Sequence, residues 1–393
     1  ITFLFYGGIR IRFRNEVLLQ NSGGNKRYFC LSMQCRSFHQ NSIKLKSIPM
    51  PIYYNDEYQV DLPSRYSRFP MGKYRYVRRR LQKLILPKYA SFHRSPLATF
   101  EELQLAHDPD YIHRYFNGQF TPLEIQQSGF PWSLQQVNRA RSSVGGSLAA
   151  VRSVLTQNAR VAVHVAGGTH HAMYDSPSGF CIFNDLAVCA AFAAKKSMKV
   201  LIVDCDVHPG DGTSHIIRQS RDFWGIKSVF NNVYTFSIHC EDNVFGISPV
   251  SDLDIALKAD TRDEEYLSEL STALYRIWNE YRPNLVLFQA GVDISESDRL
   301  GKLSITKEGL TKRNQLVLDY FLALRSESDS KRNEGPQTPI QLVVVMGGGY
   351  PKDITESSVE YQNMVNLHVD VYLQAAERHA LAISRFGPAP ALS

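Results

Sequence analysis

Two polar clusters in this chain carry residue types suited to metal-assisted and acid–base chemistry. One is Asp204-Cys205-Asp206-Val207-His208, and the other is the bare pair His170-His171. Residues two apart in an extended segment point to the same side. Asp204, Asp206 and His208 therefore share a side if the chain stays extended through them. Asp206 and His208 then offer an oxygen and a nitrogen to one divalent ion. A catalytic zinc takes three protein ligands and keeps a position for water, so a third ligand must come from elsewhere. Taken alone, the Asp-x-His triplet reads better as a capped strand end with solvated side chains. The histidine pair alone reads as readily as a structural hydrogen-bonding unit.

The flanking segments say how the clusters are positioned. An apolar run, Val161 to Val165, ends in Gly167-Gly168 just before the histidines. A second apolar run, Lys199 to Cys205, leads into the acidic cluster. Between them, Asn184 to Ala194 has the Ala-rich pattern of a buried helix, with Asn184 or Asp185 as its N-cap. Strand, helix, strand predicts a βαβ unit with parallel strands. Both clusters then emerge at carboxyl ends of strands, the edge of an α/β sheet where ligands bind.

Further strands are predicted at Ile52 to Tyr54, at the end of the segment Lys227 to Ile238 (with His239 at its carboxyl end), at Leu285 to Ala290 and at Leu342 to Met346. Helices are predicted over Tyr66–Leu86, within Phe100–Phe116, and over Leu134–Leu155, Thr261–Tyr281 and Thr306–Leu324. Thr261 or Asp263 is expected to cap the fourth of these, with Leu267, Leu270, Leu274 and Ile277 on one face. His107 reads as a surface histidine. Ser326 to Pro339 is polar and charged, and reads as a mobile loop within one domain.

The 393 residues carry a formal net charge of +6. Residues 1–50 hold eight Lys or Arg against one acid, Glu16, so the remainder is close to neutral. That gives no basic face for nucleic acid. The basic, acid-poor leader reads equally as an organellar transit peptide or as a disordered extension. The domain is expected from residue 51 to 393. Six scattered cysteines point to a reducing compartment rather than a disulfide framework. No apolar run approaches the length of a membrane span.

In combination the motifs are far more specific. Gly167-Gly168-Thr169-His170-His171-Ala172, Gly179-Phe180-Cys181-Ile182-Phe183-Asn184-Asp185 and Asp204-Cys205-Asp206-Val207-His208-Pro209-Gly210-Asp211 resemble, in order and spacing, the zinc-dependent histone deacetylases and acetoin-utilisation proteins. Arg68-Phe69-Pro70-Met71 with Lys73-Tyr74, Asp298-Arg299-Leu300-Gly301 and Gly347-Gly348-Gly349-Tyr350 extend the resemblance. Gly129-Phe130-Pro131-Trp132 and Phe236-Ser237-Ile238-His239 are similar to the class IV branch. The resemblance runs from about Pro51 to the end. It implies a three-layer α/β/α fold with a mainly parallel central sheet, as in arginase and the deacetylases.

It further implies a zinc ion held by Asp206, His208 and Asp293, although this ligand set also suits Fe(II) or Co(II). His171 is implied as general base and acid, with His170 assisting through charge. Asp204 and Asp211 are their implied partners, and Tyr350 the implied oxyanion donor. Gly179, Phe180 and Gly348 are expected at the substrate channel. Asn243-Val244-Phe245 departs from the Asn-Phe-Pro of class IV, so either Val244 lines a wider channel or Phe245 moves into place. Pro209 also departs from the His or Gln common there. A structural potassium site near Asp204, His208 and Ser237 is a further implication. The expected activity is deacetylation of acetyl-lysine in histone tails or other proteins, in the nucleus or cytoplasm and with a corepressor complex as a possible setting. The alternatives are an acetylpolyamine-type deacetylase and a catalytically silent corepressor subunit.

Overall fold

The six predicted runs become strands, and two unpredicted ones, Ala90–Arg94 and Leu253–Leu257, add the sheet edges. The continuous hydrophobicity of the central strands requires cover on both faces. The computed structural model of the chain describes residues 48–63, 69–244, 250–325 and 335–392. The basic leader to residue 47, Phe245 and much of the 326–339 loop lie outside the described residues. The strands are β1 (Met50–Tyr54), β2 (Ala90–Arg94), β3 (Val161–His164), β4 (Val200–Asp204), β5 (Val233–Cys240), β6 (Leu253–Leu257), β7 (Leu285–Gln289) and β8 (Gln341–Val345). They form one sheet of order β2-β1-β3-β8-β7-β4-β5-β6, and every pairing is parallel.

The βαβ expectation holds in direction but not in adjacency. β3 and β4 run parallel, yet β8 and β7 lie between them. That insertion is what assembles the site, because β7 and β8 bring their own carboxyl-end turns between the two clusters.

Helices cover both faces. They are α1 (Lys73–Leu84), α2 (Phe100–Leu103), α3 (Pro109–Phe116), α4 (Pro122–Ser128), α5 (Leu134–Thr156), α6 (Asp185–Ala194), α7 (Asp211–Trp224), α8 (Asp263–Glu280), α9 (Lys307–Phe321) and α10 (Val359–Phe386). Strand alternation sorts the core into two layers. On β4, Leu201 and Val203 join the layer of α1, α8, α9 and α10. Val200 and Ile202 join the layer of α3, α5, α6 and α7. The three-layer α/β/α expectation is thus met.

Local chemistry moves several boundaries. Of the helix expected over Tyr66–Leu86, residues 66–68 lie outside the described residues, and the described part starts at Lys73, just after Pro70 and Gly72. The Phe100–Phe116 stretch divides, because Asp108 accepts from the amides of Asp110 and Tyr111 and starts α3 afresh with Pro109 in its first turn. Neither Thr261 nor Asp263 caps α8. Asp263 instead accepts from the Thr306 amide at 2.8 Å and its hydroxyl at 2.6 Å, joining the starts of α8 and α9. Leu270, Leu274 and Ile277 are buried as expected, each worth about 1.5–3 kcal/mol.

His107 is not at the surface. It is buried, and its Nε2 accepts the Asn184 amide at 2.8 Å while Nδ1 donates to Tyr174 O. His164 and His379 are buried as well. Burial pushes His107 and His379 down to about 4 and His164 to about 3. An unfolded histidine protonates near 6.5. Below that pH the unfolded chain therefore binds more protons than the folded one. The stability from these rings is complete above 6.5 and is lost as pH falls toward 4. We expect urea unfolding at pH 5 to show a loss of roughly 1–2 kcal/mol per histidine relative to pH 7. His379→Gln should recover about one histidine's share. An unchanged unfolding free energy across that window would show that the rings titrate normally in the fold.

Candidate active site

The four central strands, β3, β8, β7 and β4, present their carboxyl ends side by side. Glycines let the turns beyond them touch. A Cβ on Gly168, whose φ is +77°, would meet Gly347 Cα at 2.7 Å, and a Cβ on Gly347, whose φ is +68°, would meet Gly291 Cα at 2.8 Å. Backbones can approach this closely only without side chains. The turn after β3 carries His170 and His171, and that after β4 carries Asp206 and His208. Asp293 follows β7, and Gly348 and Tyr350 follow β8.

Asp206, His208 and Asp293 are buried together, with one donor atom from each lying within 4.8 Å of the others. Asp206 Oδ1 accepts the His208 amide and lies 3.2 Å from His208 Nδ1. Asp206 Oδ2 accepts from the Gly348 amide at 2.7 Å and from Gln289 Nε2 at 3.3 Å. Asp293 Oδ1 accepts the Val207 amide at 3.0 Å. Its Oδ2 is buried without a hydrogen-bond partner and lies 3.7 Å from His208 Nδ1. Burial and the neighbouring Asp206 charge push the Asp293 carboxyl up to about 7. Two buried carboxylates that repel, one with an open oxygen, are what a divalent cation would complete. The donor set, two oxygens and an imidazole nitrogen, fits zinc or another divalent transition ion.

Both histidines stand beside this cluster, their ring centroids 4.1 Å apart. His170 Nδ1 donates to Asp204 Oδ2 at 2.8 Å, and His171 Nδ1 donates to Asp211 Oδ1 at 2.6 Å. The second His170 nitrogen lies 3.7 Å from Asp206 Oδ1. Burial opposes a charge on His170, but Asp204 and Asp206 outweigh it and hold the ring up at about 9. Burial, then the His170 charge, lower His171. Burial does not separate Asp204 from Asp211, which are 2% and 4% exposed. The rings differ instead in how many carboxylates surround them.

Asn184 fixes the histidine turn. Its Nδ2 donates to His170 O and Ala172 O, while its Oδ1 caps α6 at the Ala187 amide. Tyr350 is anchored through its amide, which donates to Asp298 Oδ2 at 2.6 Å. Burial, then the Asp206 and Asp293 charges, raise the Tyr350 phenol well above its usual range, so it is a proton donor here. Asp204 and Ser237, named for a potassium site, are register partners on β4 and β5.

One cavity is lined by His170, His171, Asp206, His208 and Tyr350, together with Gly179, Phe180 and Gly348. Phe180 packs on Phe69 and Phe130 at centroid distances of 5.1 and 5.5 Å. Leu300 lines the cavity and Val244, which is half-buried, does not. Asn243 donates to Leu300 O, so the turn bearing Val244 supports that wall from behind. Asp293 is a member of the metal cluster but lies behind the lining.

Sequence reasoning assigned no role to Lys73, Arg139, Asp298 or Arg313. Lys73 and Asp298 stood inside quoted motifs. Arg313 lay unremarked within the helix predicted over Thr306–Leu324. It is fully buried and donates to Cys205 O at 3.3 Å and Gly291 O at 3.0 Å, beneath the ends of β4 and β7.

Comparison with known proteins places this geometry. The histone deacetylase domain family matches residues 67–365. An uncharacterised protein of Picosynechococcus is 34% identical over 324 residues, covering 82% of this chain and 99% of that protein. Histone deacetylase clr6 of Schizosaccharomyces pombe is 29% identical over 53% of this chain and 47% of its own. Acetoin utilization protein AcuC of Staphylococcus aureus is 27% identical over 65% of each. In fold, the chain is similar to the crystal structure of an HDAC homolog complexed with SAHA, with a TM-score of 0.62, 21% identity and 84% of both chains covered.

Gly348 tests the metal cluster without replacing a donor residue. A Cβ there would meet Asp293 Oδ2 at 1.8 Å. Gly348→Ala is expected to weaken zinc uptake at least about ten-fold, read by competition with a chelator, because three ligands are few enough that displacing one opens the site. Wild-type zinc affinity in a folded Gly348→Ala protein would remove Asp293 from the ligand set.

Proposed function

The chain belongs to the histone deacetylase family, and from that premise we propose that it hydrolyses the acetyl amide of acetyl-lysine side chains and releases acetate. The observation that carries the reading is the placement of two His–Asp pairs and a neutral phenol around one buried Asp-His-Asp cluster. Asp206, His208 and Asp293 are the residues that would hold zinc. A bound zinc ion supplies Lewis acidity, polarising the amide carbonyl and bringing the pKa of a water toward ~7.

The chain's own groups do the rest. Asp211 accepts from His171 Nδ1 and so fixes the tautomer in which Nε2 is the proton-accepting nitrogen. His171 is the ring kept neutral by burial and by its neighbour. It takes a proton from water and returns it to the departing lysine nitrogen. His170, flanked by two carboxylates, contributes positive charge instead. The Tyr350 hydroxyl donates to the carbonyl oxygen as negative charge develops there. Phe180 and its aromatic neighbours pack on the aliphatic part of the substrate.

All these groups are present, which supports an active enzyme over a silent binding subunit. The similarity to an acetoin utilization protein keeps a small-molecule substrate as the competing reading. Zinc content and turnover of an acetyl-lysine peptide, side by side with an acetylpolyamine, separate the three readings. Tyr350→Phe is expected to lower the peptide rate by about 10²–10³ with zinc retained. His171→Ala should abolish nearly all turnover, and His170→Ala should leave more. If His170→Ala is the more damaging at equal zinc content in single-turnover measurements, the two roles are reversed.

A further inference from the structure

Two cations line the same cavity without a carboxylate to neutralise them. Lys73 is 1% exposed, and its ammonium donates to Gly347 O and Gly349 O, both at 3.4 Å. It stands 5.3 Å from the Tyr350 ring centre and 5.6 Å from that of Tyr74. Arg139, from α5, donates to the Tyr74 hydroxyl at 3.2 Å. Its guanidinium lies 5.2 Å from the Phe69 ring centre and 4.9 Å from that of Phe130. Both cations therefore border Phe69 and Tyr74, and both line the cavity. Asp206 is the one carboxylate in that lining among the described residues, and it is committed to the ligand cluster.

Buried charges are ordinarily paired with an opposite charge. Long bonds to carbonyl oxygens and the faces of aromatic rings compensate these two cations only in part. The missing partner is an anion inside the cavity. An acetyl amide is uncharged and supplies an anion only after cleavage, as acetate. A longer acyl chain ending in a carboxylate has an aliphatic stem for the aromatic walls and a charge for the two cations.

We propose that Lys73 and Arg139 form a subsite for the terminal carboxylate of a dicarboxylic acyl group on lysine, so that the chain removes succinyl or glutaryl groups. This rests on the hydrolytic reading of the site. Water adds its oxygen to the acyl carbonyl carbon, the carbon–nitrogen bond breaks, the lysine nitrogen takes a proton, and the free dicarboxylate leaves. The chemistry is the same as for acetate, so no co-reactant beyond water is needed.

The test compares two peptides on the purified full chain with its metal. One carries glutaryl-lysine, and the other carries the same acyl chain with its terminal carboxylate replaced by a neutral amide. The wild type is expected to favour the carboxylate at least about ten-fold in kcat/KM, the scale of one charge-assisted hydrogen bond. Arg139→Gln should bring that ratio near one, and Arg139→Lys should keep part of it. Lys73→Met should also collapse the ratio. Should Lys73→Met fail to fold, the half-buried Arg139 variants carry the test alone. A wild-type ratio of one, or an unchanged ratio in Arg139→Gln, overturns the subsite and leaves Lys73 as a strut for the glycine turn. Fluorescence anisotropy with the same peptides separates the two proposals. If neither peptide is cleaved but the glutaryl peptide binds at least ten-fold tighter, hydrolysis fails and the subsite stands. Equal binding with normal deacetylation sinks the subsite alone.

Discussion

The Gly348 amide donates to Asp206 Oδ2 at 2.7 Å, and this bond ties together the two strand ends on which the site depends. Asp206 follows β4 and Gly348 follows β8, with β7 between them in the sheet. The turn after β7 has no room of its own. Gly291 lets it pass Asp206, because a Cβ there would meet Asp206 Oδ2 at 2.7 Å. Beneath, Arg313 donates to Cys205 O and Gly291 O and holds the same two turns from the core side. Of the four carboxylate oxygens of Asp206 and Asp293, three accept a backbone amide, and Asp293 Oδ2 is left without a partner at the place where the cation reading needs it. Low dielectric makes such a network costly when incomplete. It follows that the ligand cluster and the fold of the four central turns are one construction.

How much of this was legible in the sequence depended on whether the information was local. Apolar runs bounded by Gly or Asp marked β3, β4, β7 and β8 within a residue or two, because buried parallel strands read as continuous hydrophobic runs. Their order was not legible, since nothing local to β3 and β4 says that β8 and β7 are inserted between them. The Asp-x-His spacing pointed to two donors, while Asp293 came only through the family resemblance. Helix starts failed where a side chain had a better use elsewhere. Asp263 binds Thr306 across a helix pair instead of capping its own helix. His107 and Arg313 were misjudged or passed over for a related reason. A polar residue in a helical stretch looks solvated until its tertiary partners, Asn184 and the carbonyls of Cys205 and Gly291, are known.

The two adjacent histidines show how position rather than residue type divides roles. Burial does not distinguish their partners, because Asp204 and Asp211 are equally enclosed. Count and placement of charge do. His170 lies between Asp204 and Asp206, and their combined field outweighs its desolvation. His171 has Asp211 on one nitrogen and a charged ring 4.1 Å away, so its desolvation is not repaid and it stays neutral. A proton acceptor must be neutral before the step, and a charge stabiliser must not give up its proton. The same imidazole thus suits opposite tasks at neighbouring positions.

The channel wall carries a conformational cost that fits this division of labour. Phe180 has a φ of +67°, a left-handed conformation that a bulky side chain rarely adopts. Gly179 beside it is also left-handed, and the pair is closed by mutual backbone hydrogen bonds between Ser178 and Cys181. Such strain costs of order 1–3 kcal/mol and persists only where the surroundings over-determine it. Here the turn hydrogen bonds and the packing of Phe180 on Phe69 and Phe130 supply that constraint. A right-handed turn would point the ring elsewhere and relieve the backbone. The strained one sets an apolar face beside His171, where a Cβ on Gly179 would meet the imidazole at 2.5 Å. The wall and the proton acceptor are therefore positioned by one turn, and a substitution that relaxes Phe180 must also disturb His171.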